Sequence, residues 1–153
     1  MSALFLMWEG DLDCSRMYQS DPTARVNRRH RPILIQMKPQ DNIITIGRHG
    51  SDEDLSYGLE SCFVQDLISP LHATIRRTAN GNFELEDHST NGTYVNYRRI
   101  NGRTILNDGD IVCFGHLDAG FINPGDQVPQ YRYDQKYTVA IAPEDDEIFS
   151  VPL

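Results

Sequence analysis

The chain has 153 residues, 39% of them hydrophobic and 24% charged, with a formal net charge of −8. That length supports one domain with its own core, and the acidic balance opposes general nucleic-acid or membrane-surface binding, which draws on a basic footprint. No apolar run reaches the roughly 20 residues of a spanning helix. The three cysteines, Cys14, Cys62 and Cys113, stand far apart with no Cys-x-x-Cys pair, so neither a disulfide framework nor a metal site is expected.

Residues 1–31 read as an N-terminal arm, partly mobile, that docks through Leu4, Phe5, Leu6 and Trp8. Its apolar opening lacks a positive leading segment, and Glu9, Asp11 and Asp13 follow at once, so it does not read as an export signal. The arm ends in a basic cluster, Arg25, Arg28, Arg29 and Arg31, read as a solvated arm ahead of an import or phosphate-contacting patch. From residue 32 to 141 the pattern changes to short strands with turn residues between them. Ile33, Ile35 and Met37 alternate, as do Ile44 and Ile46 after the Pro39-Gln40-Asp41-Asn42 turn. Cys62-Phe63-Val64 is a short apolar run, and Leu71, Ala73 and Ile75 alternate with polar neighbours. Asn80-Gly81-Asn82 is a hairpin signal leading to Phe83 and Leu85. Thr93–Asn96, Ile105-Leu106, Ile111–Phe114 and the run Tyr131, Tyr133, Tyr137, Val139, Ile141 complete the set. No ten-residue window carries a helical stripe, so the pattern predicts an all-β sandwich or barrel. Residues 142–153 read as an acidic tail, carrying Glu144, Asp145, Asp146 and Glu147.

Three loops carry chemistry that plain turns do not need: Gly47-Arg48-His49-Gly50, Ile68-Ser69-Pro70-Leu71-His72, and Asp87-His88-Ser89-Thr90-Asn91-Gly92-Thr93. Together they offer a guanidinium, the three hydroxyls of Ser69, Ser89 and Thr90, an amide and glycine-exposed N–H groups. A tetrahedral dianion suits that inventory, because arginine supplies a planar fork and hydroxyls and amides fill the remaining oxygens.

The order Gly47-Arg48, Ser69-x-x-His72, Asp87-His88-Ser89-Thr90-Asn91-Gly92-Thr93-x-Val95-Asn96, then Leu106-x-Asp108-Gly109-Asp110-x-x-x-Phe114-Gly115 resembles the forkhead-associated (FHA) domain. The resemblance implies a β-sandwich of two antiparallel sheets with recognition loops at one end, binding phosphothreonine in a protein or peptide. It implies Arg48 as the principal phosphate ligand, Ser69 and Thr90 as hydroxyl donors, and Asn91 as the holder of the peptide backbone. Gly47, His72, Asp87, Gly92 and Asn96 would support the recognition loops, while His49 and His88 flank the site. No catalysis and no cofactor are implied, and the family association places the protein in the nucleus, with the cytosol as the alternative. The chain then reads as a signalling adaptor built around one FHA domain, or as the FHA-bearing part of a larger chain.

Pro70 departs from the family pattern, which often has Asn or Lys after the phosphate-binding serine; proline brings no N–H and no polar side chain. The loop Val64–Ile68 has no basic residue, so no preference for an acidic residue three places after the phosphothreonine is expected, with a lean to an aliphatic one. Asp52, Glu53 and Asp54 would repel acidic flanks. Two rival readings are a hydrolase built from Ser69, His72 and Asp87, which lacks a nucleophile-elbow context, and an FHA fold that has lost phosphopeptide binding. Ser69-Pro70 also forms a proline-directed kinase motif.

Overall fold

A computed structural model describes residues 2–10, 32–61 and 64–143. Two sheets face each other across one core. The six-stranded sheet runs in the order β2-β1-β11-β10-β7-β8 and the five-stranded sheet β4-β3-β5-β6-β9. The strands are β1 (Ala3–Trp8), β2 (Leu34–Met37), β3 (Ile43–Arg48), β4 (Tyr57–Leu59), β5 (Ala73–Arg77), β6 (Phe83–Asp87), β7 (Thr93–Val95), β8 (Arg98–Arg99), β9 (Arg103–Leu106), β10 (Ile111–Phe114) and β11 (Lys136–Ala142). Helix among the described residues is confined to two single 3-10 turns, Gln65–Leu67 and Ala119–Phe121.

The alternation in the sequence maps onto this core. Ile35 and Met37, Ile44 and Ile46, Ala73 and Ile75, Phe83 and Leu85 all point inward and are buried, whereas Ile33 stands two-thirds exposed at the entry to β2. Asn80 and Gly81 form the expected hairpin turn, with Gly81 at φ +81°. Tyr131 and Tyr133 lie outside β11, in the long β10–β11 connection, yet Tyr133 is buried and its hydroxyl donates to the Phe114 carbonyl.

Two features go beyond what the alternation pattern spelled out. Residues 3–8, where docking through Leu4, Phe5, Leu6 and Trp8 was expected, form the strand β1, paired antiparallel along its full length with β11 and on its other edge with β2. Leu4 and Leu6 are completely buried, and each such side chain contributes about 2–3 kcal/mol of burial. The run carries no clean alternation because the outward residues Phe5 and Met7 are apolar too. The two-sheet sandwich is the expected one, with one parallel pair inside it: β4 runs parallel to β3, Ile46 opposite Tyr57 and Arg48 opposite Leu59. The chain leaves β3 at Arg48, loops back, and is fastened by the Ser56 amide and hydroxyl to Thr45 before running alongside β3. Cys14, Cys62, Phe63, the basic cluster Arg25–Arg31 and the acidic run from Glu144 lie outside the described residues.

Register decides where the loops meet. Ala73 at the start of β5 pairs with Ile46 near the end of β3, and Asp87 at the end of β6 pairs with Ala73. Thr93 opening β7 pairs with Phe114 closing β10. The β3–β4, β4–β5, β6–β7 and β10–β11 connections therefore emerge at one end of the sandwich. At the opposite end Arg77 donates to the carbonyls of Ser2, Lys38 and Asp41, closing the sheets away from these connections.

Candidate functional site

Arg48 ends β3, Ser69 and His72 lead into β5, and Thr90 and Asn91 lie in the β6–β7 loop that crosses from one sheet to the other. The Arg48 N–H donates to the Ser69 carbonyl at 2.9 Å, and the Thr90 N–H donates to Ser69 Oγ at 3.0 Å. All three loops are thus joined at Ser69, which is 8% exposed. Because Ser69 Oγ accepts from Thr90, its own proton remains available to an incoming acceptor. Arg48 is partly exposed and Thr90 exposed, so a ligand can reach both.

His72 sets this geometry from below. It is completely buried; its Nδ1 accepts the Ser69 N–H at 3.1 Å and its Nε2 lies 2.9 Å from the Gly92 carbonyl. Accepting at Nδ1 requires the proton on Nε2, so the ring is neutral and donates to Gly92. Burial lowers its pKa from 6.5 to about 4, against the opposing pull of the Gly92 carbonyl and of Asp87. Both ring nitrogens are committed and neither faces Ser69 Oγ, while Asp87 accepts from Ser89 Oγ, Ser89 N–H and Thr93 Oγ1. Ser69, His72 and Asp87 consequently form no nucleophile–base relay.

Asp87 and the two glycines lie in or beside the three loops. A Cβ on Gly47 would lie 2.0 Å from the Pro70 carbonyl oxygen, so only glycine lets the β4–β5 loop pass that close to β3. Gly92 adopts φ +87° and its carbonyl takes both the His72 ring and the Gly115 N–H, tying the β6–β7 and β10–β11 loops together. The Pro70 carbonyl also accepts from Ser51 Oγ, which holds the loop after Arg48. Ser69, buried and bonded, does not present its hydroxyl as an open kinase substrate.

Asn96 lies apart from the other support residues. Its side chain donates to Asp110 Oδ1 and accepts from the Ile111 N–H, 3.0 Å each, at the far end of β7. It supports the Asn96-Tyr97 turn and the entry into β10, because three extended residues of β7 carry it some 10 Å from Thr93. His88 turns along the sheet surface, with Nε2 3.1 Å from Thr74 Oγ1 and 3.7 Å from Glu86.

Arg99 is the support residue that sequence reasoning missed. From β8 it donates to the carbonyls of Thr90, Ala119 and Ile122, so one guanidinium clamps the β6–β7 loop to the β10–β11 loop. Nothing in the sequence marks it, since backbone carbonyls are its acceptors. Asn91 Nδ2 donates to the carbonyls of Asp66 and Leu67, and Arg48 Nη1 donates to Asp66 Oδ1 at 2.9 Å.

Residues 44–115 match the family model of the FHA domain. Among curated proteins the chain is 38% identical over 76 residues to the germ-layers-disorganized protein of Caenorhabditis elegans, a match covering 46% of this chain and 7% of that protein. Among solved structures it is similar to the FHA domain of an Arabidopsis thaliana protein, with a TM-score of 0.57 at 19% identity, covering 95% of this chain and 90% of that one. It is also similar to Mycobacterium tuberculosis EmbR, solved with a low-affinity phosphopeptide, with a TM-score of 0.51 at 19% identity over 92% of this chain and 24% of that one. The chain spans less than a tenth of the curated relatives it first matches, 7% and 6% of their lengths. On the family match and the shared two-sheet fold, this chain carries an FHA domain matched over residues 44–115.

Proposed function

We propose that the chain is a phosphothreonine-dependent binding module, a signalling adaptor without catalysis of its own. The observation that carries the reading is the joining of Arg48, Ser69 and Thr90 at one end of the sandwich, through 2.9 and 3.0 Å bonds centred on Ser69. In this reading the Arg48 fork takes two phosphate oxygens, Ser69 Oγ–H and the Thr90 hydroxyl donate to the phosphate, and Asn91 turns its amide from the Asp66 and Leu67 carbonyls to the peptide backbone. Charge-assisted hydrogen bonds of this kind are the strong ones, about 1.5–3 kcal/mol each. The likeness to a protein solved with a phosphopeptide supports the same reading.

Titration of an oriented phosphothreonine peptide library, with phosphoserine and unphosphorylated controls, tests it. The expected affinity is near micromolar, roughly −8 kcal/mol, lost without phosphate, weakened by serine and abolished in Arg48→Ala. Phosphate-independent binding unaffected by Arg48→Ala would instead mark a scaffold that associates through its β surface.

A further inference from the structure

Arg48 already holds an anion. Its Nη1 donates to Asp66 Oδ1 at 2.9 Å, and the same turn engages Asn91, whose amide donates to the Asp66 carbonyl at 3.3 Å and the Leu67 carbonyl at 3.2 Å. Two of the four residues assigned to the phosphopeptide are therefore satisfied by one segment, the 3-10 turn Gln65–Leu67. Exposure within the ion pair is unequal: the Arg48 side chain is 28% exposed and the Asp66 side chain 84%. The carboxylate thus approaches the guanidinium from solvent, the direction a ligand would use. Leu67 and Ile68, buried at 3% and 0% exposure, pin the next two residues, so a displaced Asp66 stays close to the fork.

Resting on the phosphothreonine reading, we propose that Asp66 is an internal competitor for the phosphate. In the free protein it orients the Arg48 fork with a monoanion. A phosphate brings more charge and a third oxygen for Ser69 and Thr90, and so displaces it. The displaced carboxylate then sits beside the phosphothreonine as a like charge. It lowers affinity below what Arg48, Ser69 and Thr90 alone would give, and it excludes ligands with acidic flanks. Asp52, Glu53 and Asp54, exposed on the loop after Arg48, add the same sign to the rim.

The test uses the full chain as wild type, Asp66→Asn, Asp66→Ala and Arg48→Ala, read by fluorescence anisotropy. The probes are a phosphothreonine peptide pool with random flanks, a Glu-flanked pool, a Lys-flanked pool and their unphosphorylated counterparts. Exposed ion pairs and like charges across solvent act weakly, so Asp66→Asn is expected to tighten the random pool by about 3- to 10-fold. It should also narrow the preference for Lys over Glu flanks, and the gap to wild type should shrink between low and high salt. A silent wild type beside a binding Asp66→Asn would support the competitor in its strongest form. Equal or weaker binding by both Asp66 variants, with Arg48→Ala inactive and melting temperatures unchanged, would overturn it and leave the phosphothreonine reading standing. Failure of every variant to prefer the phosphorylated pools would overturn both.

Discussion

The neutral, buried His72 makes stability depend on pH in a calculable window. In the unfolded chain the imidazole titrates at its ordinary value of 6.5, whereas burial holds it near 4 in the folded protein. Between those values the unfolded state binds more protons, so its contribution is fully present above pH 6.5 and is lost as pH falls towards 4. The 2.5-unit separation corresponds to about 3 kcal/mol in total, of which about 2 kcal/mol is lost by pH 5. His72→Gln keeps a donor and an acceptor but cannot titrate. Urea unfolding of both proteins at pH 7.5, 6.0, 5.0 and 4.5 isolates the effect, because all other ionisable groups are shared. The wild-type advantage should shrink steadily below pH 6.5 and reach its largest loss at the lowest pH. Parallel profiles, within about 0.5 kcal/mol, would refute the assignment of a neutral ring bonded between Ser69 and Gly92.

Other substitutions follow from the same geometry. Arg99→Met removes the donors to Thr90, Ala119 and Ile122 and should cost about 2–4 kcal/mol in urea unfolding, with weaker phosphopeptide binding in titration. Gly47→Ala drives a methyl to 2.0 Å from the Pro70 carbonyl and should lower the thermal midpoint sharply, costing about 3 kcal/mol or more, while Gly120→Ala, with nothing within 4 Å, should leave it unchanged. Leu6→Ala, at a fully buried position of β1, should destabilise by about 2–5 kcal/mol; a null effect would return residues 3–8 to the status of an appended arm.

What the sequence disclosed divides along physical lines. Strands with one wet face, such as Phe83–Asp87, announce themselves by alternation. β1 does not, because Phe5 and Met7 keep its outer face apolar and erase the period. β8 hides behind a two-residue turn in which Asn96 and Tyr97 both take positive φ, 52° and 63°, where a glycine at the second position would have flagged a hairpin. β4 is three residues long with Gly58 at its centre, and its parallel pairing needs no hairpin turn. In the candidate site, the residues legible from sequence are those assigned by side-chain chemistry: Arg48, Ser69, Thr90 and Asn91. Arg99 works on backbone carbonyls, which every residue has, so no spacing of residue types points to it. Asp66 was legible only as part of a loop lacking a basic residue; its pairing with Arg48 depends on how the 3-10 turn folds back over β3.

The site's position across both sheets separates two kinds of mutational effect. Arg48, Ser69 and His72 sit on the five-stranded sheet, the β6–β7 loop crosses over, and Thr93 and Gly115 belong to the six-stranded side. The Gly92 carbonyl is where the sheets meet chemically, accepting from the His72 ring on one side and the Gly115 N–H at 2.8 Å on the other. Tyr94 and Arg99 crowd Gly92 so closely that an added Cβ would lie 2.8 Å from each. Changes at His72, Gly92 or Arg99 must therefore loosen the packing between the sheets and the recognition loops together, lowering stability and affinity in step. Arg48 and Asp66 reach solvent and meet each other there, so their removal alters the charge at the fork with little of the core behind it. Affinity that moves at Arg48 and Asp66 in opposite directions, at constant stability, is the behaviour this arrangement requires of a binding site. A fold that had kept these residues for support alone would not show it.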